Sequence, residues 1–305
     1  MRIRTAALSA AILVAVFGCG SSRSQVSSTT PPALVGPSPP AGTAIPAYDH
    51  IFVILMENYS YSEVIGAPYI ASLAARGTVV GNYLATDHPS LPNYAELTSG
   101  QSFPNANTDC DPSPSCQSTA SNIIDRIVAS GRTWHAYAES MGAACGKVTN
   151  GQYAPRHVPF VYYTDISAAS CQANVVDYSH LSTDLGSAAT TPNYVFITPN
   201  TCNDMHDCSV ATGDTWLSQN VPTILASPAF TQQHALLLLV WDEDDGSQNN
   251  QVALIAVGFH VKVGYVSSVR YSHYSLLRTV EAAWGLSSLA VNDQAASPMT
   301  DLIAG

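Results

Sequence analysis

The sequence predicts an α/β fold in which helices cover both faces of a mainly parallel sheet. The first observation is a set of short, continuously apolar runs, as expected of strands buried on both faces. The second is that helical patterns alternate with these runs, which is typical of parallel sheets. The strand candidates are HIFVILME at 50–57, NYVFITPN at 193–200, a run that starts at His234 and turns acidic at Asp242, and QVALIAVG at 251–258.

The helical patterns supply the covering layers. Amphipathic helices are predicted at 67–77, 120–131, 215–227 and 273–285. Another is predicted at 91–100, with Pro92 in its first turn and Gly100 as its stop. In open α/β sheets, ligands bind beyond the carboxyl ends of the strands. The site is therefore expected where the apolar runs end, at Glu57, at 200–206 and at Asp242.

Length and charge narrow the functional classes. The 305 residues, 46% of them hydrophobic, are sufficient for one large core. Acidic residues outnumber basic ones 22 to 11, and the net charge is −11. This balance argues against a surface that follows nucleic-acid phosphates. We expect a monomer with no nucleic-acid partner.

The N-terminus predicts export. Residues 1–19 have the pattern of a signal peptide, with Arg2 and Arg4 before an apolar run too short for a membrane span. The sequence VFGC at 16–19 is typical of a lipobox, which would lipidate Cys19 and anchor the chain to a membrane. The alternative is an ordinary secretory signal that is cut a few residues later. We expect a cell-envelope lipoprotein or a secreted protein, with a disordered Ser/Pro-rich tether at 20–46 and a globular domain at 47–305.

The cysteines support the same compartment. Without Cys19, six cysteines remain, and an even set in an exported protein predicts three disulfides. The alternative of a thiolate metal site is weak, because the chain has no C-x-x-C pair. Proximity in sequence favours the pairs Cys110–Cys116, Cys145–Cys171 and Cys202–Cys208.

Acidic and amide side chains stand at two strand ends. Glu57 and Asn58 follow the first strand, and their oxygens suit a hard cation. Asp242 and Glu243 open a run of four acids after a later strand. Acids packed together raise each other's pKa unless a cation is bound. A solvated loop or turn is the alternative interpretation at both places.

Ser90 lies in HPSLPNY at 88–94, between two prolines and at the start of a predicted helix. The hydroxyl could cap the helix. It could also be a nucleophile, which would need a base or a metal for activation. Backbone N–H groups at the same helix terminus would favour a phosphoryl group. His88 is a candidate auxiliary group.

Three further places carry candidate ligands. Asp204 and His206 crowd a cysteine-bounded loop after a strand, where they could bind metal or phosphate. His273 begins the late helix, and Arg156 with its neighbour His157 could contact phosphate. The alternatives are a solvated disulfide loop and ordinary surface or capping histidines.

Taken together and in order, these motifs resemble the bacterial phosphoesterase family of acid phosphatases and non-haemolytic phospholipases C. The likeness is greatest to its short secreted acid phosphatases, some of which hydrolyse phosphatidylinositol 3-phosphate. It covers about residues 50 to 286, and the set is specific although no single motif is. The motifs are HIFVILMENYSY, HPSLPNY, HVPF, ITPNTCNDMHDC, ATGDTWL, WDEDDGS and SHYSLLRTVE.

The resemblance implies an alkaline-phosphatase-like three-layer sandwich for the 47–305 domain, with a divalent metal ion and a metal-bound serine. The implied nucleophile is Ser90, and the implied metal ligands are Glu57, Asn58, Ser90, Asp242 and Glu243. The run of acids leaves open a shift of the late pair that would include Asp244. Asn93 matches a phosphate-contacting residue, to which we add His88, Arg156 and His157 as substrate-binding candidates. Asp204, His206 and His273 match a possible second site. The spacing of Asp204 and His206 leaves open whether that site binds metal, or binds phosphate and transfers protons.

The leading expectation is an acid phosphatase that hydrolyses phosphomonoesters, phosphoinositides among them, through attack by Ser90. His206 or His273 would protonate the leaving group. The alternative is a phosphodiesterase of the phospholipase C type. A third hypothesis is a surface lipoprotein that binds a ligand or cation without catalysis. The expected partner is a phosphorylated small molecule or a phospholipid headgroup.

Overall fold

A computed structural model describes residues 44–304, and in this part of the chain one nine-stranded sheet forms the centre of the molecule. The spatial order of eight strands is β4-β3-β5-β1-β6-β7-β2-β8, and β9 pairs with β2. The strands are β1 His50–Met56, β2 Thr78–Leu84, β3 Trp134–Ala138, β4 Val175–Asp177, β5 Tyr194–Thr198, β6 Ala235–Trp241, β7 Gln251–Gly258, β8 Tyr265–Ser267 and β9 Tyr271–Ser272.

Helices pack as two groups around this sheet, with α2 against α7 and α3 against α9, which also contacts α10. Short 3-10 turns lie at Ala106–Thr108, Pro155–His157, Pro159–Val161, Tyr178–His180 and Thr300–Leu302. The α-helices are α1 Tyr61–Val64, α2 Pro68–Ala75, α3 Ser90–Ser99, α4 Ile123–Ala129, α5 Ala168–Asn174, α6 Leu181–Asp184, α7 Val210–Leu225, α8 Pro228–Thr231, α9 His273–Trp284 and α10 Val291–Ala295.

The predicted fold class is confirmed, with one strand running against expectation. β1, β5 and β6 are parallel neighbours, as are β3, β4 and β5. β7, whose sequence resembles that of the parallel strands, is antiparallel to both β6 and β2. Only residues 242–250 connect β6 to β7. A parallel crossover needs roughly a dozen residues or more, so this short connection must return the chain antiparallel.

The apolar runs of the sequence form the buried core of the molecule. Every residue of β1 and of β6 is buried. Each fully buried aliphatic side chain contributes about 1.5–3 kcal/mol before entropy costs. All ten residues of α3 are buried as well, so this helix lies inside the molecule. It ends at Gly100, whose φ of 72° is left-handed and whose N–H donates to the Glu96 carbonyl.

Three disulfides form, with the pairing expected from sequence proximity: Cys110–Cys116, Cys145–Cys171 and Cys202–Cys208. The predicted signal peptide, Cys19 and most of the 20–46 tether lie outside the described residues. None of the helices in residues 44–304 has the length and apolar character that a membrane crossing requires.

Candidate active site

The carboxyl ends of β1 and β6 bring two of the predicted acids together. The strands pair in parallel, with Met56 opposite Trp241. Glu57 and Asp242 are the next residues along each strand, and both are fully buried. The Asn58 N–H donates to Asp242 Oδ1 over 3.3 Å, which links the two strand ends. Strand register is therefore what places these acids next to each other.

Ser90 joins the same strand ends from the N-terminus of α3. It is 1% exposed, and its Oγ donates to Glu57 Oε2 over 3.0 Å. Pro89, not Ser90, stands at the N-cap position. The hydroxyl is thus directed at the acids and not at the backbone of its own helix.

A buried histidine and a tyrosine complete the surroundings of Glu57. His157 Nδ1 lies 3.1 Å from Asp204 Oδ2, and its Nε2 lies 3.4 Å from Glu57 Oε1. The Tyr94 hydroxyl donates to the same Glu57 oxygen, and its ring stacks on the imidazole with centroids 5.4 Å apart. Ligand atoms of Glu57, His157 and Asp204 all lie within 4.8 Å of one another. These three residues form a group that could hold a metal ion.

The loop after β5 delivers Asp204 to this position. The Glu57 N–H donates to the Asp204 carbonyl over 2.8 Å, so β1 and the loop are joined through the backbone. The His206 N–H donates to Asp204 Oδ1 over 2.8 Å, which fixes the carboxylate. The Cys202–Cys208 disulfide closes the loop around both residues. The loop therefore presents Asp204 inward in a defined orientation.

Burial and mutual repulsion make these carboxylates hard to ionise without a neighbouring positive charge. Burial, followed by the charges of Asp242 and Asp204, raises the pKa of Glu57 well above its usual range. Burial also raises the pKa of Asp204, and raises that of Asp242 to about 7. Burial and the charge of Asp242 raise the pKa of Glu243 to about 9. Such a cluster is costly unless protons or a cation neutralise it.

Unpaired polar atoms indicate which neutralising group fits. Asn58 Oδ1, Asp242 Oδ2 and His157 Nε2 are buried and have no hydrogen-bond partner. Buried polar atoms are nearly always paired in proteins. Carboxylate and amide oxygens with an imidazole nitrogen are common ligands of divalent cations. The residues present therefore fit a divalent metal ion.

Glu243 and Asp244 follow Asp242 in the acidic run, and their surroundings differ. The comparison concerns which of the two belongs to the predicted metal ligands. Glu243 Oε2 accepts from Asn93 Nδ2 over 3.1 Å and lies 3.1 Å from Nδ1 of the half-exposed His88. Asp244 accepts three backbone N–H groups of its own loop, at Gly246, Gln248 and Asn250. Asp244 thus shapes the turn, and its Oδ1 also lies 3.3 Å from His88 Nε2, so both acids face the Ser90 loop.

Asn93 holds that loop in place. Its Oδ1 accepts from the backbone N–H groups of Thr86 and Asp87 at 3.1 and 2.9 Å. Its Nδ2 donates to the Asp87 carbonyl as well as to Glu243. The predicted phosphate contact at Asn93 is therefore occupied by internal bonds in this structure, and the residue positions the segment that precedes Ser90.

The three residues predicted as a second site are not brought together as a trio. Asp204 meets His157, which was predicted as a substrate contact. The His206 ring lies against Asp207 at 2.7 Å and Arg156 at 3.2 Å. Both nitrogens of the buried His273 are bonded elsewhere, Nε2 to the Asp242 carbonyl and Nδ1 to the Tyr83 hydroxyl. Burial lowers the pKa of His273 to about 4, which leaves it neutral at mildly acidic pH.

Arg156 and His206 form a partly exposed pair beside the buried acids. Arg156 Nη2 lies 3.2 Å from His206 Nε2, and Arg156 Nε lies 3.8 Å from Asp109 Oδ2. Arg156 offers positive charge and N–H donors, as an anionic substrate requires, and His206 lies beside it. Asp109 and Tyr94 were not predicted from the sequence. Tyr94 lies one helical turn after Ser90 on the same face of α3.

Comparison with known proteins identifies the family. The profile described as Phosphoesterase family matches residues 66–287. The chain belongs to this family. Glu57 and Asn58 precede the matched span. A phosphatidylinositol-3-phosphatase of Mycobacterium tuberculosis is 34% identical over 86% of this chain and 85% of its own length.

Other relatives agree on the class of enzyme. A phosphate-repressible acid phosphatase of Penicillium chrysogenum is 30% identical over 80% of this chain. The chain spans 60% of that longer relative. The prediction of a phosphoric-ester hydrolase is confirmed by the family and by these phosphatases.

Solved structures agree on the fold. A Vibrio parahaemolyticus protein of the alkaline phosphatase superfamily superposes with a TM-score of 0.59, at 10% identity, over 82% of this chain and 70% of its own. At this identity the likeness bears on architecture alone. It confirms the predicted alkaline-phosphatase-like sandwich.

Proposed function

We propose that this protein is an exported acid phosphatase that hydrolyses phosphomonoesters with Ser90 as the nucleophile. The observation that carries the proposal is the Ser90 hydroxyl, which donates to Glu57 among buried acids at the carboxyl edge of the sheet. A capping serine would have no reason to make this contact. The relatives named as acid phosphatases support the acidic working range.

A divalent metal ion is the proposed cofactor. Glu57, Asn58, Asp242 and Glu243, with the Ser90 hydroxyl, would hold it, and His157 and Asp204 extend the donor set on the far side of Glu57. When bound, such an ion supplies positive charge that favours a serine alkoxide and stabilises the equatorial phosphoryl oxygens.

The proposed chemistry of the protein groups begins with the proton on Ser90 Oγ, which moves toward Glu57 Oε2 along the 3.0 Å hydrogen bond. Ser90 Oγ bonds to phosphorus as the bond to the leaving-group oxygen breaks, giving phosphoserine and an alcohol. Water then cleaves the phosphoserine, which releases inorganic phosphate and restores the serine.

His206 is the preferred donor of the leaving-group proton, and Arg156 the preferred phosphate contact. The two side chains are adjacent and partly exposed. His273, the other candidate donor, is less suited because it is fully buried, whereas 25% of the His206 side chain is exposed. His88 would act near Glu243 at the rim of the site.

Phosphoinositides are among the proposed substrates, because the mycobacterial relative is named as a phosphatidylinositol-3-phosphatase. A lipid substrate would suit a chain held at a membrane through Cys19. The disulfides fit an oxidising compartment outside the cytosol. Metabolic labelling with a fatty acid, compared between the parent and Cys19→Ala, separates lipoprotein from secreted protein.

The test of function compares p-nitrophenyl phosphate with bis-p-nitrophenyl phosphate from acidic to alkaline pH, with and without a chelator. We expect faster hydrolysis of the monoester, an acidic optimum and loss of activity on chelation. Preference for the diester would instead support the phospholipase C type of activity. Phosphate release from phosphatidylinositol 3-phosphate vesicles, set against vesicles of the unphosphorylated lipid, tests the lipid substrate.

A further inference from the structure

The Asp109 carboxylate contacts two donors that are suited to a phosphoryl group. Its Oδ1 accepts from the Leu91 N–H over 2.9 Å, and its Oδ2 lies 3.8 Å from Arg156 Nε. Leu91 follows Ser90 in the first turn of α3, where N–H groups lack intrahelical acceptors and attract anions. Asp109 thus makes the contacts expected of a phosphoryl oxygen next to the nucleophile.

The charges that act on Asp109 come from the proposed phosphate contacts. Burial raises the pKa of Asp109, while the Leu91 N–H and the charges of Arg156 and His206 lower it. In turn, Asp109 is one of the acids that raise the pKa of Glu243. The charge of Asp109 therefore acts on Arg156 and His206 as well as on Glu243. A further negative charge there opposes the binding of an anionic substrate, so its presence requires an explanation.

The backbone around Asp109 is held independently of its side chain. Asp109 has a left-handed φ of 49°, and its N–H donates to the Ala106 carbonyl over 3.0 Å. The next residue, Cys110, is bonded to Cys116, and its carbonyl accepts from the Tyr162 hydroxyl over 2.8 Å. The carboxylate can therefore leave its partners by side-chain rotation, without movement of the loop.

We propose that Asp109 is an internal competitor of the substrate, whose carboxylate occupies the Leu91 N–H and Arg156 until a phosphoryl group displaces it. The inference rests on the proposed function of the Ser90 site. Its consequence is weaker binding of both substrate and inorganic phosphate, which speeds release of the product. If Asp109 served only to orient Arg156, its removal would weaken phosphate binding, so the two roles predict opposite signs.

The test measures binding of inorganic phosphate by calorimetry, and the steady-state kinetics of p-nitrophenyl phosphate, with the full chain. Asp109→Asn removes the charge and keeps a side-chain oxygen for Leu91, and asparagine tolerates positive φ. Asp109→Ala frees both donors. We expect the Kd for phosphate to fall about fivefold in the first variant and about tenfold in the second. The KM should fall in parallel.

Asp111→Asn is the matched control. It removes the same charge from the same loop, where Asp111 contacts Thr149 and not Leu91 or Arg156. Its phosphate Kd should equal that of the parent. If Asp109→Ala fails to fold, Asp109→Asn decides the matter alone.

An unchanged or raised phosphate Kd in folded Asp109 variants overturns the inference. This result differs from failure of the proposed function. An active parent whose Asp109 variants bind phosphate no more tightly refutes only the competitor role. A parent that neither hydrolyses the monoester nor binds phosphate refutes both proposals.

Discussion

Two of the buried groups of polar side chains in the described residues surround Asp301 and Asp242, and their carboxylate oxygens are satisfied in different ways. Asp301 is 5% exposed and accepts from the hydroxyls of Ser267, Tyr271 and Tyr265 at 2.5, 2.6 and 3.3 Å. At the carboxyl edge of the sheet, by contrast, Asp242 Oδ2 has no partner and a second acid lies beside it. Hydrogen-bond donors surround the Asp301 carboxylate, whereas the group around Asp242 has too few donors for its oxygens.

The difference shows that burial alone does not mark a functional carboxylate. Hydroxyl donors make Asp301 a structural link between β8, β9 and the C-terminal segment. Missing donors make the Asp242 group unstable by itself and receptive to a cation. Functional sites commonly lower the folding stability of the unliganded protein, and a bound ligand then restores it.

The largest effect is expected for Ser90→Ala, which tests whether the Asp242 group is the catalytic one. If the donor-poor group is the catalytic one, the loss of the hydroxyl should lower kcat/KM for p-nitrophenyl phosphate by about a thousandfold or more. Ser99→Ala is the matched control, since Ser99 ends the same helix and bonds only to backbone carbonyls. Activity retained by the Ser90 variant would remove Ser90 from the mechanism.

The second prediction concerns metal. After chelation, addition of Mn²⁺, Mg²⁺ or Ca²⁺ should stabilise the parent, by about 2.7 kcal/mol for an ion at a hundred times its Kd. Asp301→Asn should respond to the ion as the parent does, because its donors are all internal. Asp242→Asn should respond much less. Thermal unfolding with each ion decides, and equal responses in all three proteins would contradict a metal site at Asp242.

The third prediction is that substitutions in the two groups change the free energy of unfolding of the metal-free protein in opposite directions. Asp242→Asn removes repulsion from a buried acid cluster and should raise the free energy of unfolding by about 1 kcal/mol. Asp301→Asn leaves hydroxyl donors facing an amide and should lower it by about 2 kcal/mol. Denaturant titrations in chelator test both. Destabilisation of similar size by the two variants would show that the groups do not differ as described.

The smallest effect extends the comparison to Glu281, a buried acid of α9 that is paired with the partly exposed Arg278. Burial and the neighbouring Asp293 raise the pKa of Glu281 from 4.5 to about 8. The folded state therefore keeps a proton that the unfolded chain loses, which adds stability below pH 4.5 that disappears as the pH rises through about 8.

Glu281→Gln should remove this pH dependence, with a Tm gain over the parent of about 2 °C at alkaline pH and none at acidic pH. Melting curves across this range provide the measurement. Parallel Tm–pH profiles for parent and variant would show that Glu281 titrates normally.

The sequence predicts the centre of this fold well because β1, β5 and β6 are continuous apolar runs. The strands β2, β3, β4, β8 and β9 were not predicted, since they are short or mix polar with apolar residues. The direction of β7 depends on the length of the preceding loop, and its side-chain pattern does not encode it.

Some residues of the candidate site were likewise predictable from the sequence, and others were not. Glu57 and Asp242 were predictable as neighbours, because strand ends meet at one edge of a parallel sheet. The positions of His157 and Asp109 were not, because each belongs to irregular structure whose path no local pattern specifies. Three-dimensional contacts alone reveal that His157 bridges two acids and that Asp109 touches the residue after Ser90.

The Cys202–Cys208 bond encloses Asp204 and His206, so the assembly of the site is tied to the oxidation state of the chain. A newly made chain whose thiols are still reduced lacks the covalent closure around Asp204, the residue that contacts His157. We therefore expect hydrolysis to begin only after oxidation. Such timing would spare the phosphate esters of the compartment in which the protein is synthesised.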